Sequence, residues 1–325
     1  MIKSNAILLL ATALLSYCPS GKGSGEFAEL TGFGDNPGNL RVFAYVPEGL
    51  SANAPLVVVL HGCLQDAAET ARQSGWNELA DKYGFLVLYP QQQPSNNLNN
   101  CFNWFVPEDK HRGSGEALSI RQTVAYAVQQ FKLDERRIYI SGISAGGAMA
   151  AVMMATYPEV FRAGAVMAGI PYGAAADMAT GFQAMRGEIV LDGDTWEARV
   201  RDQYPAYEGK YPALAIFHGA DDAVVSFVNA EELSKQWAAL LDLDAETPAT
   251  TDTWEQNDKV KRSAYKDSAG NTVLLQYALD SLGHAIAIDP GDGPRQGGAA
   301  GPFAKDIDFY APYWAAVFFG LVKEE

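Results

Sequence analysis

Cysteine, histidine and positive charge are all scarce in this 325-residue chain: three cysteines, four histidines, and 24 lysines and arginines against 39 aspartates and glutamates. Three cysteines cannot build a disulfide-held scaffold, and with 48% hydrophobic residues the chain can bury a core without one. The formal charge of −15 leaves no basic stripe to displace counterions from a phosphate backbone, so no nucleic-acid partner is expected. No apolar run reaches the roughly 18 residues of a bilayer span. No Pro/Thr-rich or Gly/Ser-rich linker interrupts the middle of the chain, which predicts one catalytic-sized domain.

What is present begins with a leader. Lys3 followed by the short apolar run Ala6 to Leu15 reads as a signal peptide over residues 1–18, with a flexible Ser/Gly-rich lead-in over 19–36 and the catalytic domain over 37–325. Leu15-Ser16-Tyr17-Cys18 looks like a lipoprotein cleavage box, although Tyr17 is bulkier than the residue usual before that cysteine. Cys18 is therefore a candidate lipid anchor, and the mature protein is expected to be secreted or periplasmic. In an oxidising compartment Cys63 and Cys101 are available either as one bridge or as two buried thiols.

From residue 40 the pattern alternates between strand and helix. Leu40 to Pro47 reads as an antiparallel edge strand. The continuous apolar run Leu56 to Leu60 (LVVVL) fits a strand buried on both faces of a parallel sheet. Ala67 to Tyr83 reads as a helix, Phe85 to Tyr89 as a strand, Leu118 to Phe131 as a helix, Arg137 to Ser141 as a strand and Ala145 to Tyr157 as a helix. Strands over Gly164 to Ala168, Ala213 to Phe217 and Val273 to Leu279 and helices over Asn229 to Leu241 and Tyr313 to Leu321 continue the series. Tyr172 to Tyr211 has no clean period and is expected to lie partly over the site. The alternation predicts a doubly wound, mostly parallel α/β sheet with helices on both faces.

Gly142-Ile143-Ser144-Ala145-Gly146 lies between a predicted strand and a predicted helix, the setting in which G-x-S-x-G forms a nucleophile elbow. A serine hydroxyl needs a base to take its proton. In this fold the partners follow in the order serine, acid, histidine, which leaves His218 and His284. His218 ends a strand and is followed at once by Gly219, so His284, after the last strand, is the expected base. The acid is Asp221 or Asp222 in HGADDAVV. The amide of Ala145 is one expected oxyanion donor. The second should come from the loop after LVVVL, at His61-Gly62-Cys63, where His61 itself is expected to be structural. Asp192/Asp194 and Asp289/Asp292 do not complete a calcium loop and read as solvated turns.

HGCLQDAAETARQSGWNELADKYGFLVLYPQQ, NNCFNWF with RGSGEALSI, YISGISAGGAM, YPEVFRAGAVMAGIPYG, HGADDAVV and LGHAIAIDPG occur in that order along the chain. With them the chain resembles the secreted poly(3-hydroxybutyrate) depolymerase-like esterases, a family that includes feruloyl and acetylxylan esterases. The resemblance implies an α/β-hydrolase fold and a triad of Ser144, Asp222 and His284, the HG-x-x-D-x-x-V register selecting Asp222. It implies a Cys63–Cys101 bridge, oxyanion donors at Cys63 and Ala145, and Trp104 near the substrate. No metal or organic cofactor is implied. The implied partner is an ester substrate: 3-hydroxyalkanoate oligomers or amorphous polyester first, a feruloyl or acetyl ester of plant polysaccharide second. The segment after His284 departs from the family's Trp-containing, Gly-rich loop, and no carboxy-terminal polymer-binding module is seen, so crystalline polymer is not the expected substrate. A non-catalytic binding protein of this fold would show a broken triad, whereas all three residues are present. The pattern carries no reading of oligomeric state.

Overall fold

The computed structural model describes residues 25–254 and 257–322. The signal peptide over 1–18 and Cys18 lie outside the described residues.

Six parallel strands form the middle of a ten-stranded sheet. They are β3 (Leu56–Leu60), β4 (Leu86–Gln91), β5 (Ile138–Ile143), β6 (Ala163–Met167), β7 (Ala213–Gly219) and β10 (Thr272–Leu279). Antiparallel strands extend both sides: β1 (Glu26–Leu30) and β2 (Arg41–Val46) beside β4, and β9 (Asn257–Lys266) and β8 (Thr250–Trp254) beside β10. The order is β1-β2-β4-β3-β5-β6-β7-β10-β9-β8. β3 shows why its sequence has no polar alternation. Leu56, Val58 and Leu60 enter one core cluster while Val57 and Val59 enter the cluster on the opposite face. Each face must exclude water, so every position is apolar.

Helices cover both faces. α4 (Gly115–Phe131), α5 (Ala145–Thr156) and α8 (Val228–Leu240) supply the first cluster. α1 (Ala67–Ser74), α2 (Trp76–Tyr83) and α9 (Ala311–Phe318) supply the second. Every residue of α5 is buried, which accounts for its alanine- and glycine-rich, unamphipathic sequence. α3 (Pro107–Lys110), α6 (Met178–Met185), α7 (Gly193–Arg201) and a two-stranded pair, β11 (Ile286–Ile288) with β12 (Ala304–Asp306), complete the chain.

The structure corrects several expectations. The helix expected over 67–83 breaks at Gly75 (φ 70°), where a Cβ would stand 2.2 Å from the Tyr310 hydroxyl; that hydroxyl donates to Ser74 O at 2.9 Å. β2 is not an edge. Part of the lead-in expected to be flexible pairs with it as β1, stacking Phe27 on Phe43 and pairing Glu29 with Arg41. The antiparallel pair β8 and β9 has no counterpart among the expected elements, because its residues are mostly polar and show little hydrophobic period. The aperiodic stretch over 172–211 contains two short helices. Asp177 and Asp192 cap them by accepting from the Thr180 and Thr195 amides.

Candidate active site

β5 ends in a turn that only a glycine-flanked residue can make. Ser144 sits at φ 56°, in the left-handed region that favours glycine, and its N–H donates to Met167 O at 3.0 Å. A Cβ on Gly142 would meet Gly146 O at 2.2 Å, and one on Gly146 would meet Leu60 O at 2.3 Å. The two glycines thus let α5 start against the ends of β5 and β3. Ser144 stands at the carboxyl end of the sheet, at the N-terminus of α5, where the helix dipole favours negative charge.

His284 is brought to it from 140 residues away, with Nε2 2.8 Å from Ser144 Oγ. Its Nδ1 lies 2.7 Å from Asp222 Oδ2. The loops carrying these two residues are tied together: Ala220 N–H donates to Leu279 O and Asp221 N–H to Leu282 O. A Cβ on Gly219 would stand 2.2 Å from Leu282 O, so the residue after His218 must be glycine for the loops to meet. Asp222 is buried while Asp221 is exposed, which separates the adjacent aspartates. Asp222 Oδ1 accepts from the Val224 and Val225 amides, each at 2.9 Å. Burial works to raise the Asp222 pKa, but hydrogen bonds from His218, His284 and the Val225 amide outweigh it and hold the carboxyl well below the usual carboxylate range.

His218, set aside as a base because it ends a strand, has a link to the acid that sequence reasoning missed. Its buried ring places Nε2 2.9 Å from Val225 O, closing the turn that holds Asp222, and 3.5 Å from Asp222 Oδ2. The four-residue spacing in HGADD was the available signal.

On the other side of Ser144 runs the loop after β3. A Cβ on Gly62 would lie 3.4 Å from the Ser144 Cβ, which places this backbone directly against the nucleophile candidate. Cys63 is disulfide-bonded to Cys101, as the resemblance implied, and Leu64 N–H donates to Asn99 O at 2.7 Å. Among the described residues, no acceptor takes the Cys63 or Ala145 amide. The Ala145 amide directly follows Ser144 in the chain and the Cys63 amide follows Gly62, so two backbone donors without partners belong to the stretches that meet at Ser144.

Behind the loop lies a buried polar cluster of which only His61 was among the expected residues. His61 Nδ1 lies 2.7 Å from Gly62 O, and Nε2 receives the Gln92 N–H at 3.0 Å, so His61 is structural as expected. Burial pushes its pKa down to about 4. The Gln92 side-chain amide donates to Glu116, whose other oxygen accepts Asn103 N–H at 2.9 Å. Burial, with Asp109 nearby, pushes the Glu116 carboxyl up to about 8 against the pull of these bonds. The only hint in the sequence was a glutamate on the apolar face of GEALSI.

Trp104 is 6% exposed, and its indole packs edge-on against Phe105. Among the described residues no hydrogen bond or ring contact links it to Ser144. Asp192 is a helix cap, whereas Asp289 groups with Asp306 and Asp308 on the β11–β12 side, the latter two exposed. A groove of about 480 Å³ between β8–β10 and α9, lined by residues including Arg262, Tyr277 and Trp314, contains none of Ser144, Asp222 and His284.

A serine, histidine and aspartate in one hydrogen-bonded chain at the carboxyl ends of a doubly wound parallel sheet define the α/β-hydrolase class. Within it, the family model described as Esterase PHB depolymerase matches residues 40–260, and the chain belongs to that family. It is 39% identical over 314 residues to poly(3-hydroxyalkanoate) depolymerase C of Paucimonas lemoignei, covering 97% of this chain and 75% of that one. Feruloyl esterase B of Talaromyces funiculosus is 32% identical over 272 residues, 81% of this chain and 74% of that one. Among solved structures, acetyl xylan esterase from Aspergillus awamori superposes with a TM-score of 0.75 at 27% identity, over 80% of this chain and 94% of that one. The chain is a carboxylic ester hydrolase.

Proposed function

We propose that the chain is an exported serine esterase that cleaves 3-hydroxyalkanoate oligomers or amorphous aliphatic polyester through an acyl-enzyme. The observation that carries the mechanism is the unbroken chain from Ser144 Oγ through His284 to Asp222. Ser144 Oγ attacks the ester carbonyl as its proton passes to His284 Nε2. The carbonyl oxygen, now negative, takes the Cys63 and Ala145 amides. Collapse of the tetrahedral adduct expels the alcohol, which leaves with the proton from His284. Water then repeats the sequence on the acyl-enzyme, releasing the acid and restoring Ser144. Asp222 keeps the imidazole in the required tautomer and stabilises it when charged. No step calls on a metal or organic cofactor.

The preference for aliphatic polyester rests on the rim. Leu64 (65% exposed) adjoins Cys63, Leu98 (91%) adjoins the residue bonded to Leu64, and Val224 (49%) donates its amide to Asp222. Met178 and Phe182 are exposed on α6, which packs beside Phe105 and bonds to the acid loop through Met185 O and Ser226 N. Exposed apolar side chains of this kind suit an aliphatic ester surface better than a hydroxyl-rich polysaccharide. The likeness to acetyl xylan esterase keeps a second reading, deacylation of plant polysaccharide. Residues 37–325 are read as one catalytic domain, with Trp104 a wall of the acyl site. The leader over 1–18 supports export, and Cys18 is read as a candidate anchor. The test is clearing of amorphous poly(3-hydroxybutyrate) beside ferulate release from a methyl ester and acetate release from acetylated xylan. Clearing alone supports the polyester reading, and release without clearing replaces it.

A further inference from the structure

The buried cluster behind the Cys63 loop does more than fill space. Because Gln92 N–H donates to His61 Nε2 at 3.0 Å, that nitrogen carries no proton, and the ring proton sits on Nδ1. Nδ1–H then donates to Gly62 O at 2.7 Å. That carbonyl and the Cys63 N–H belong to one planar peptide unit, in which they point in opposite directions. Whatever holds the carbonyl aims the amide. The same oxygen also receives a longer bond, 3.4 Å, from Gln65 N–H, while Gly62 N–H is taken by Gln65 Oε1 at 2.8 Å.

The imidazole is itself held. It is 1% exposed, and the Phe102 ring lies 4.8 Å from it. Gln92 is fixed through its side chain, which donates to Glu116 and accepts from the Gln93 amide and Asn96 Nδ2. Glu116 also takes the Asn103 amide, so the network joins residues 61–63 to residues 101–103, the two stretches bridged by the disulfide.

We infer that His61 is a positioning residue of the oxyanion site: its Nδ1–H holds the Gly62–Cys63 peptide and so directs the Cys63 amide at the developing oxyanion, with Gln92 and Glu116 holding the ring. The inference rests on the proposed role of the Cys63 amide, and the experiment keeps the two apart.

His61→Phe keeps a ring and loses both hydrogen bonds. His61→Asn keeps a donor near the Nδ1 position. His61→Gln keeps an acceptor near Nε2 and leaves Gly62 O without its donor. Each is assayed on a soluble p-nitrophenyl ester, with sites counted by fluorophosphonate labelling of Ser144, and with a boronate that mimics the tetrahedral adduct. Losing an oxyanion donor outright costs ~10² to 10³ in kcat. A misdirected donor should cost about 10- to 100-fold in kcat per labelled site in His61→Phe and His61→Gln. KM should stay within about threefold, boronate affinity should fall in parallel with kcat, and His61→Asn should recover most of the loss. A purely structural role lowers the number of labelled sites and leaves kcat per site unchanged. Wild-type kcat and boronate affinity in folded His61→Phe would overturn the inference. If that variant does not fold, equal kcat per site in His61→Asn and His61→Gln overturns it instead. A wild-type protein that neither labels at Ser144 nor binds the boronate would refute the esterase mechanism itself.

Discussion

On one side of Ser144 stand Asp222 and His284, side chains on loops after β7 and β10, linked to each other and to Ser144 by single hydrogen bonds of 2.7 and 2.8 Å. On the other side stand backbone amides, and here the chain is held by a disulfide and by a buried network through His61, Gln92, Glu116 and Asn103. In the proposed mechanism the two sides have different tasks. Groups that must exchange a proton need hydrogen bonds that can change polarity during the reaction. Groups that only stabilise charge work best when they do not reorganise, so their backbone is locked in advance.

The largest predicted effect lies on the proton-exchanging side. Ser144→Ala should lower kcat on a soluble ester by ~10⁴ to 10⁶ while circular dichroism stays native, because nothing else in the site can form the acyl-enzyme. A folded variant retaining more than about a hundredth of wild-type activity would break the comparison at its centre.

Next come the neighbouring aspartates. Asp222→Asn should cost ~10⁴ in kcat by favouring the wrong histidine tautomer, whereas the exposed Asp221→Asn should stay within severalfold of wild type. Steady-state kinetics on both variants tests this, and a reversed order would move the acid by one position.

On the locked side, reducing Cys63–Cys101 opens a loop spanning 38 residues of sequence separation. The chain-entropy estimate is ~3 to 4 kcal/mol of stability. Loosening the Cys63 amide should lower kcat by about 10²-fold before the fold is lost. Thiol counting beside kcat and a fold probe, across increasing reductant, checks that order of events. Loss of activity and fold at the same reductant concentration would show that the bridge serves stability alone.

The smallest effect is the pH signature of the same side. Glu116 releases its proton near pH 8 in the folded state, against 4.5 unfolded, so the native state binds the extra proton between these values. Its contribution to stability is therefore full below about pH 4.5 and is lost as pH rises through about 8. His61, whose pKa is pushed down to about 4, has the opposite slope, because the unfolded state binds its proton first as pH falls below about 6.5. Above pH 7 His61 is neutral in both states. Urea midpoints at pH 7 and 9 should then show wild type losing about 1 kcal/mol more than Glu116→Gln. Equal pH slopes in the two proteins would mean that Glu116 is ionised throughout.

The proton-exchanging side was legible in the sequence to a degree that the locked side was not. Ser144 announces itself by flanking glycines, a strand before it and a helix after it, all within a dozen residues. His284 followed from chain order together with the strand-end place of His218, and the family resemblance selected Asp222, which is buried where Asp221 is exposed. His218 was placed at a strand end, but its link to the acid loop went unread because it depends on a ring turning back to Val225 O, which a strand-end histidine need not do. Glu116, Gln92 and Asn103 lie on α4, at the end of β4 and in the loop between them. No local period marks three polar residues that meet only when those elements pack.

By itself the sequence determined the class of fold and the family, and singled out the elbow and the expected proton-transfer partners, because each is written in local spacing or in the order of short motifs. Tertiary structure alone decided that β1 joins the sheet through Phe27 and Arg41, that the helix over 67–83 breaks at Gly75 beneath Tyr310, and that β8 and β9 extend the sheet beyond β10. It also decided what holds the Gly62–Cys63 peptide still. These are contacts between residues tens to hundreds of positions apart, and their free energy comes from excluding water and pairing buried polar groups, which no stretch of chain can do before its partner arrives.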